Sequence, residues 1–216
     1  MMQDLFDGVE TAEWREELCP GAVVLHGLAL RHEKAILAAV EQVSRAVPFR
    51  RMVTPGGHTM SVEMTNCGSL GWVTDETGYR YAERDPLSGQ RWPPLPEPFS
   101  QMAAEAADLC GFPGFEPDAC LVNRYRPGTR LSLHQDRNER DFDQPIVSVS
   151  LGISAVFLFG GLRRRDKPHR VPLRHGDVVV WGGPARMRYH GVMPLKPDRH
   201  PLLGDCRINL TLRRAA

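Results

Sequence analysis

The chain has 216 residues, 42% hydrophobic and 25% charged, which is enough for one buried core and excludes a disordered or membrane-embedded class. Its formal net charge of +1 argues, taken whole, against a protein coated in nucleic acid or clamped to an anionic membrane, but residues 1–120 hold 18 Asp and Glu against 9 Lys and Arg, while residues 121–216 hold 8 against 18. Of the 27 cations 24 are Arg, a choice that suits bidentate recognition of carboxylates and phosphates and that the codon usage of a GC-rich genome would also produce.

In chain order, residues 1–14 are acidic with no apolar core of a signal peptide, and no later run reaches the roughly 18 apolar residues of a membrane span, so the expected location is the cytoplasm. Ala22–Leu25 reads as a short strand, and Arg31–Val47 as a helix with Ile36, Leu37, Val40 and Val43 at helical spacing. Thr59–Met64 is a strand, and the polar run from Gly71 to Tyr79 is a hairpin that contains Trp72. Trp92–Pro96 is a rigid connector into an Ala-rich helix, Glu97–Leu109, closed by Gly111. Short, often β-branched strands follow at Cys120–Tyr125, Leu131–Asp136, Ile146–Leu151, Val156–Phe159, Asp177–Trp181, Met187–Val192 and Cys206–Leu212, with the basic run Arg163–Arg170 read as a loop. Two helices and many short strands imply helices packed outside a sandwich or barrel. The five cysteines are odd in number, with no C-x-x-C pair, which fits a reducing compartment and neither a disulfide framework nor a thiolate zinc site.

The last strand alternates strictly: Arg207, Asn209, Thr211 and Arg213 share one face, Ile208, Leu210 and Leu212 the other. The polar face either meets water or lines a cavity that holds an anion. In Leu131–Asp136 the same period puts His134 and Asp136 side by side, and His190 supplies a third candidate ligand, although a lone strand histidine is more often structural. Together they form a two-histidine, one-carboxylate set, the facial triad that holds Fe(II) and leaves positions open for a co-substrate and oxygen. Zinc would fit the same ligands and use a bound water for hydrolysis. Arg207 favours iron, because a dicarboxylic co-substrate that chelates the metal at one end needs a cation at the other.

These residues carry a resemblance to a known family. The stretches Met52-Val53-Thr54-Pro55-Gly56-Gly57, Thr59-Met60-Ser61-Val62, Met64-Thr65-Asn66-Cys67-Gly68, Pro117-Asp118-Ala119-Cys120-Leu121, Asn123-Arg124-Tyr125, His134-Gln135-Asp136, Pro145 to Gly152, Gly176 to Trp181 and Arg207-Ile208-Asn209-Leu210-Thr211 closely resemble the AlkB alkylation-repair dioxygenases, from about Leu5 to Arg214. H-x-D alone would mark only the superfamily; its combination with N-x-Y and R-x-N-x-T-x-R is specific. The resemblance implies a mainly β fold with flanking helices: a double-stranded β-helix, or jelly roll, with an N-terminal nucleotide-recognition lid. One catalytic domain, 1–216, would divide into an extension and helix at 1–48, the lid at 49–92, and a helix plus jelly-roll core at 93–216.

The resemblance further implies that His134, Asp136 and His190 bind Fe(II), that Asn123, Tyr125, Arg207, Asn209 and Arg213 bind 2-oxoglutarate, and that Trp72, Tyr79, Tyr81, Asn138 and Arg164 contact substrate. Arg207 would pair with the distal carboxylate and Arg213 would lie near the chelating end. The implied reaction uses O2 and 2-oxoglutarate to hydroxylate the N-methyl group of bases such as 1-methyladenine and 3-methylcytosine in single- or double-stranded DNA, with RNA as an alternative substrate, and releases succinate, CO2 and formaldehyde. The implied enzyme is a monomer with no membrane or obligate protein partner. Two positions depart from the pattern: Asn138 stands where the bacterial repair enzyme has an aspartate, and His58 replaces a lid tyrosine. The run Arg163–Arg170 is a candidate for holding DNA phosphates, against the reading as a solvated charge run.

Overall fold

In the computed structural model the described residues are 15–216; the acidic stretch 1–14, including the start of the resemblance at Leu5, lies outside them. Strands β1 (Arg15–Cys19) and β2 (Ala22–Leu25) precede helix α1 (Glu33–Ala46). Next come β3 (Arg50–Val53), β4 (Thr59–Gly68), β5 (Gly71–Asp75), β6 (Gly78–Ala82) and helix α2 (Glu97–Leu109). The remaining strands are β7 (Ala119–Tyr125), β8 (Leu131–His134), β9 (Ile146–Gly152), β10 (Ala155–Phe159), β11 (His169–Leu173), β12 (Val178–Trp181), β13 (His190–Val192) and β14 (Arg207–Arg213).

Eight strands form one sheet in the order β1-β2-β12-β9-β14-β7-β4-β3, and four form a second in the order β11-β10-β13-β8. Every neighbouring pair is antiparallel, and strands distant in sequence lie side by side, which is the wiring of a jelly roll. The β5–β6 hairpin pairs only with itself, whereas β3 and β4 belong to the large sheet.

Helix α1 buries Ile36, Ala39, Val40 and Val43, one stripe at 3–4 spacing, and α2 buries Phe99, Met102, Ala103, Ala106 and Ala107. At its C-terminus Gly111 takes a positive φ of 84°, with the Phe112 N–H bonded back to the Ala107 carbonyl at 2.9 Å. Both helices cover the outer face of the large sheet, where Val122, Val147, Val149, Ile208, Leu210 and Leu212 complete one core cluster. The inner face meets the small sheet in a second cluster that includes Leu121, Tyr125, Phe157, Phe159, Val171, Val179, Trp181 and Val192. Strands buried on both faces lose their alternation, as in the continuous apolar run of β12.

This layering decides the question left open for the last strand. All of β14 is buried: Ile208, Leu210 and Leu212 lie under the helices, and the polar residues lie between the sheets rather than in water. Gly152 allows the close approach at the start of β14, since at its φ of 91° a Cβ would sit 2.3 Å from the Cys206 carbonyl oxygen. Strands β1, β3 and β11 lie outside the sequence expectation, and each is a sheet edge rich in charged or polar residues without an apolar period. The basic run expected to be loop ends in strand: His169 and Arg170 open β11, where they pair with Phe159 and Leu158.

Candidate metal centre and co-substrate pocket

Strands β8 and β13 place His190 opposite His134, with ring centroids 4.4 Å apart. The strand expected over Leu131–Asp136 ends at His134, so Asp136 comes from the irregular chain beyond it and sets one carboxylate oxygen 3.7 Å from Nε2 of His134 and the other 3.7 Å from Nε2 of His190. Ligand atoms of all three residues lie within 4.8 Å of one another. Nδ1 of His134 lies 2.9 Å from the Ser132 carbonyl oxygen, and Nδ1 of His190 lies 3.1 Å from that of Arg188. A carbonyl can only accept, so each Nδ1 carries the proton and each Nε2 offers its lone pair to the centre.

Burial, reinforced by His134, pushes His190 down to about 4, so at neutral pH it is an uncharged ligand. Burial also opposes charge on Asp136, but Arg213 and the two imidazoles outweigh it and hold the carboxyl well below the usual carboxylate range. Arg213 donates to one Asp136 oxygen through Nε at 2.9 Å and Nη2 at 2.7 Å. Two imidazole nitrogens and an ionised carboxylate are a donor set that fits Fe(II).

Behind this centre the polar rows of three strands converge. Tyr125 lies opposite Arg207, and Asn123 opposite Asn209. Arg207 is 2% exposed, donates through Nη2 to Ser150 Oγ at 2.9 Å and has its guanidinium carbon 5.0 Å from the Tyr125 ring centroid. Its Nε and Nη1 have no acceptor, and no carboxylate pairs with it among the described residues. An unpaired buried cation costs several kcal/mol, so the pocket is suited to an anion from outside the chain. Asn209 is a strut: its Nδ2 donates to Ser148 Oγ and the Val149 carbonyl, and its Oδ1 accepts from Thr211 and Asn123. Asn123 Oδ1 is without a partner and belongs to the same lining.

The hairpin supplies the third group. Trp72 and Tyr79 stack with ring centroids 5.8 Å apart, and Asn138 accepts from Trp72 Nε1 at 3.3 Å while donating to the Tyr79 carbonyl at 3.4 Å. Tyr81 instead uses its hydroxyl to donate to Glu139 at 2.6 Å, and burial pushes its pKa well up. Arg164 is exposed, with its guanidinium 6.0 Å from the ring centroid of Tyr189, and no hydrogen bond, ion pair or ring contact joins it to the hairpin among the described residues. His58 is exposed in the turn between β3 and β4, where its backbone bonds to Thr54. Sequence reading missed Ser148, Ser150, Glu139 and Arg186. The serines were visible as the polar half of the alternation in β9, whereas nothing in the local pattern marks Glu139 or Arg186.

The jelly roll, the His-Asp-His centre and the unpaired buried arginine together define a class, and the family model of the 2OG-Fe(II) oxygenase superfamily matches residues 21–213. Alpha-ketoglutarate-dependent dioxygenase AlkB of Salmonella typhimurium is 56% identical over 100% of this chain and 99% of its own. The nucleic acid dioxygenase ALKBH1 of Mus musculus is 37% identical over 63% of this chain and 34% of its own. Among solved structures, that of OsALKBH1 superposes with a TM-score of 0.82 at 29% identity, covering 93% of this chain and 100% of that one. The chain belongs to the AlkB family of Fe(II)- and 2-oxoglutarate-dependent dioxygenases.

Proposed function

We propose that this enzyme oxidatively demethylates N-alkylated bases such as 1-methyladenine and 3-methylcytosine in DNA, with RNA as a second substrate. The observation that carries the reading is that one short segment holds Asp136 at the metal centre and Asn138 and Glu139 on the aromatic hairpin, which joins a base-stacking surface to an oxidising site. When bound, iron and 2-oxoglutarate supply the oxidising power: O2 is consumed, 2-oxoglutarate leaves as succinate and CO2, and the N-methyl carbon is hydroxylated and lost as formaldehyde.

The chain's own residues position and exclude. His134, Asp136 and His190 hold the metal, and Arg207 takes the far carboxylate of 2-oxoglutarate in a pocket completed by Asn123, Tyr125, Asn209 and Arg213. Phe157 and Trp181, packed against His190, keep water from that side. A methylated base inside a duplex must be flipped to reach the centre, and lesions that have lost Watson–Crick pairing flip at lower cost. The rings of Trp72 and Tyr79 offer such a cationic base a stacking surface worth about 1–3 kcal/mol. Arg164, exposed on the loop after β10, is the proposed contact to the flanking backbone. The working unit is a monomeric single domain, 1–216, with 49–92 as its nucleotide-recognition part. It acts in the reducing cytoplasm, a setting suited to its five free thiols, and no helix among the described residues is long and apolar enough to cross a membrane.

Methylated single- and double-stranded oligonucleotides incubated with protein, Fe(II), 2-oxoglutarate and O2 should lose methyl mass and release formaldehyde. Intact methyl groups, with no formaldehyde, would refute the reading. A His134→Ala control should be inert.

A further inference from the structure

Residues 135–145, between β8 and β9, carry one metal ligand and two hairpin contacts yet contain no helix or strand. A segment with that duty needs its carbonyls and carboxylates satisfied from outside. Arg186, 3% exposed and placed just after the turn at Gly183–Ala185, meets the need with one side chain. Its Nη1 donates to the Asp136 backbone carbonyl at 2.8 Å, its Nη2 to Glu139 Oε2 at 3.1 Å and its Nε to the Gln144 carbonyl at 3.1 Å. Its guanidinium carbon lies 5.3 Å from the Phe142 ring centroid. Four residues of one irregular segment converge on a single planar cation, and the chain that supplies it runs on directly to His190.

The geometry points to Arg186 as a positioning residue: it clamps residues 136–144 into one body, so that the orientation of Asp136 at the metal and the seating of a base against Trp72 and Tyr79 are mechanically joined. Glu139 is the shared joint, taking the Tyr81 hydroxyl on one oxygen and Arg186 on the other, while Arg213 lies 3.5 Å from it and also holds Asp136. A lysine could not replace the fork, because an ammonium cannot reach three separate acceptors and stack on a ring at once. The substrate half of this inference rests on the function proposed above; the metal half stands on geometry alone.

Arg186→Gln and Arg186→Lys would be compared with the wild type in three measurements: Co(II) affinity with its visible absorption, amide hydrogen exchange in the metal-free protein, and the succinate-to-formaldehyde ratio on a methylated oligonucleotide. Expected are a Co(II) Kd weakened about 10- to 100-fold, as for other groups that orient metal ligands, faster exchange confined to 135–145 and the hairpin, and a ratio raised several-fold as oxidation uncouples from demethylation. Arg186→Lys should fall between the wild type and Arg186→Gln. A lowered Tm with unchanged Co(II) binding, exchange pattern and ratio would overturn the proposal. If Arg186→Gln does not fold, Arg186→Lys, which keeps the buried charge, decides it by the same readings. A wild type that yields no formaldehyde would count against the demethylation reading alone, since Co(II) binding and exchange still judge Arg186.

Discussion

Arg207 shows how much one side chain can be asked to do. Buried with two donors unpaired, it suits an anion from outside the chain, so under the proposed function replacement should act on co-substrate binding before chemistry. Arg207→Gln removes charge-assisted bonds worth about 2–3 kcal/mol and should raise the KM for 2-oxoglutarate roughly 30- to 150-fold, with kcat largely recovered at saturation. A kcat that collapses at saturating 2-oxoglutarate would assign Arg207 another role. Asn138 uses both ends of its amide, accepting from Trp72 and donating to the Tyr79 carbonyl. An aspartate could keep the first bond but would face that carbonyl with a second acceptor while adding an anion near a cationic base. Asn138→Asp should therefore change the ratio of adenine to cytosine lesions repaired, and equal ratios by mass spectrometry would remove the residue from the specificity argument. The H-x-D spacing made His134 and Asp136 legible as a pair, although not through a strand period, since Asp136 reaches the centre from beyond the end of β8, and the alternation of β14 exposed Arg207 and Arg213 as one row. The Ser132 and Arg188 carbonyls that fix the imidazoles were not legible, because any residue offers a carbonyl and only the folded turn aims it.

At the scale of elements, β14 is a wall shared by two compartments, a helix-covered core and a polar pocket. Leu210 belongs wholly to the first, at 0% exposure. Leu210→Ala should destabilise by about 3 kcal/mol, a Tm loss of roughly 6–12 °C for a chain of this size, and leave the KM for 2-oxoglutarate unchanged at temperatures where the fold persists. A shifted KM without a Tm loss would mean that the two faces are not separable. The loops at the far end of β9 bring two histidines together. His200 stacks on His175 at 4.2 Å, and burial, with His175, presses its pKa below the ordinary 6.5 against the smaller opposing pull of Glu33 and Asp198. The unfolded chain then takes up a proton before the folded one does, so stability present above pH 6.5 is lost as the pH falls below it. Tm measured from pH 7.5 to 5 should fall less steeply in His200→Gln than in the wild type; parallel curves would contradict this. Central elements could be read from sequence because burial imposes apolar runs, whereas β1, β3 and β11 could not, because an edge strand is selected against looking like one.

Across the whole molecule the charge division takes on a physical meaning once inward and outward arginines are separated. Arg186, Arg207 and Arg213 are buried and committed to the site, Arg124 pairs with Glu63, and Arg126 with Asp205. Within the basic run, Arg163 is tied to Asp166, through its backbone N–H at 3.0 Å and its Nε at 3.2 Å, whereas Arg164 and Arg165 are exposed with no ion pair among the described residues. The surplus of residues 121–216 therefore overstates what remains to meet phosphate. Each phosphate contact releases condensed counterions and steepens the salt dependence of binding. Replacing Arg164 and Arg165 together by Ala should lower the slope of log affinity against log salt by about 1–2, and Arg163→Ala alone by less, since its charge is already answered. Fluorescence anisotropy of a methylated single strand over a series of NaCl concentrations separates the cases. An unchanged slope in the double variant would return the run to the status of a solvated surface, and an equal loss in Arg163→Ala would mean that Asp166 yields its partner when nucleic acid arrives.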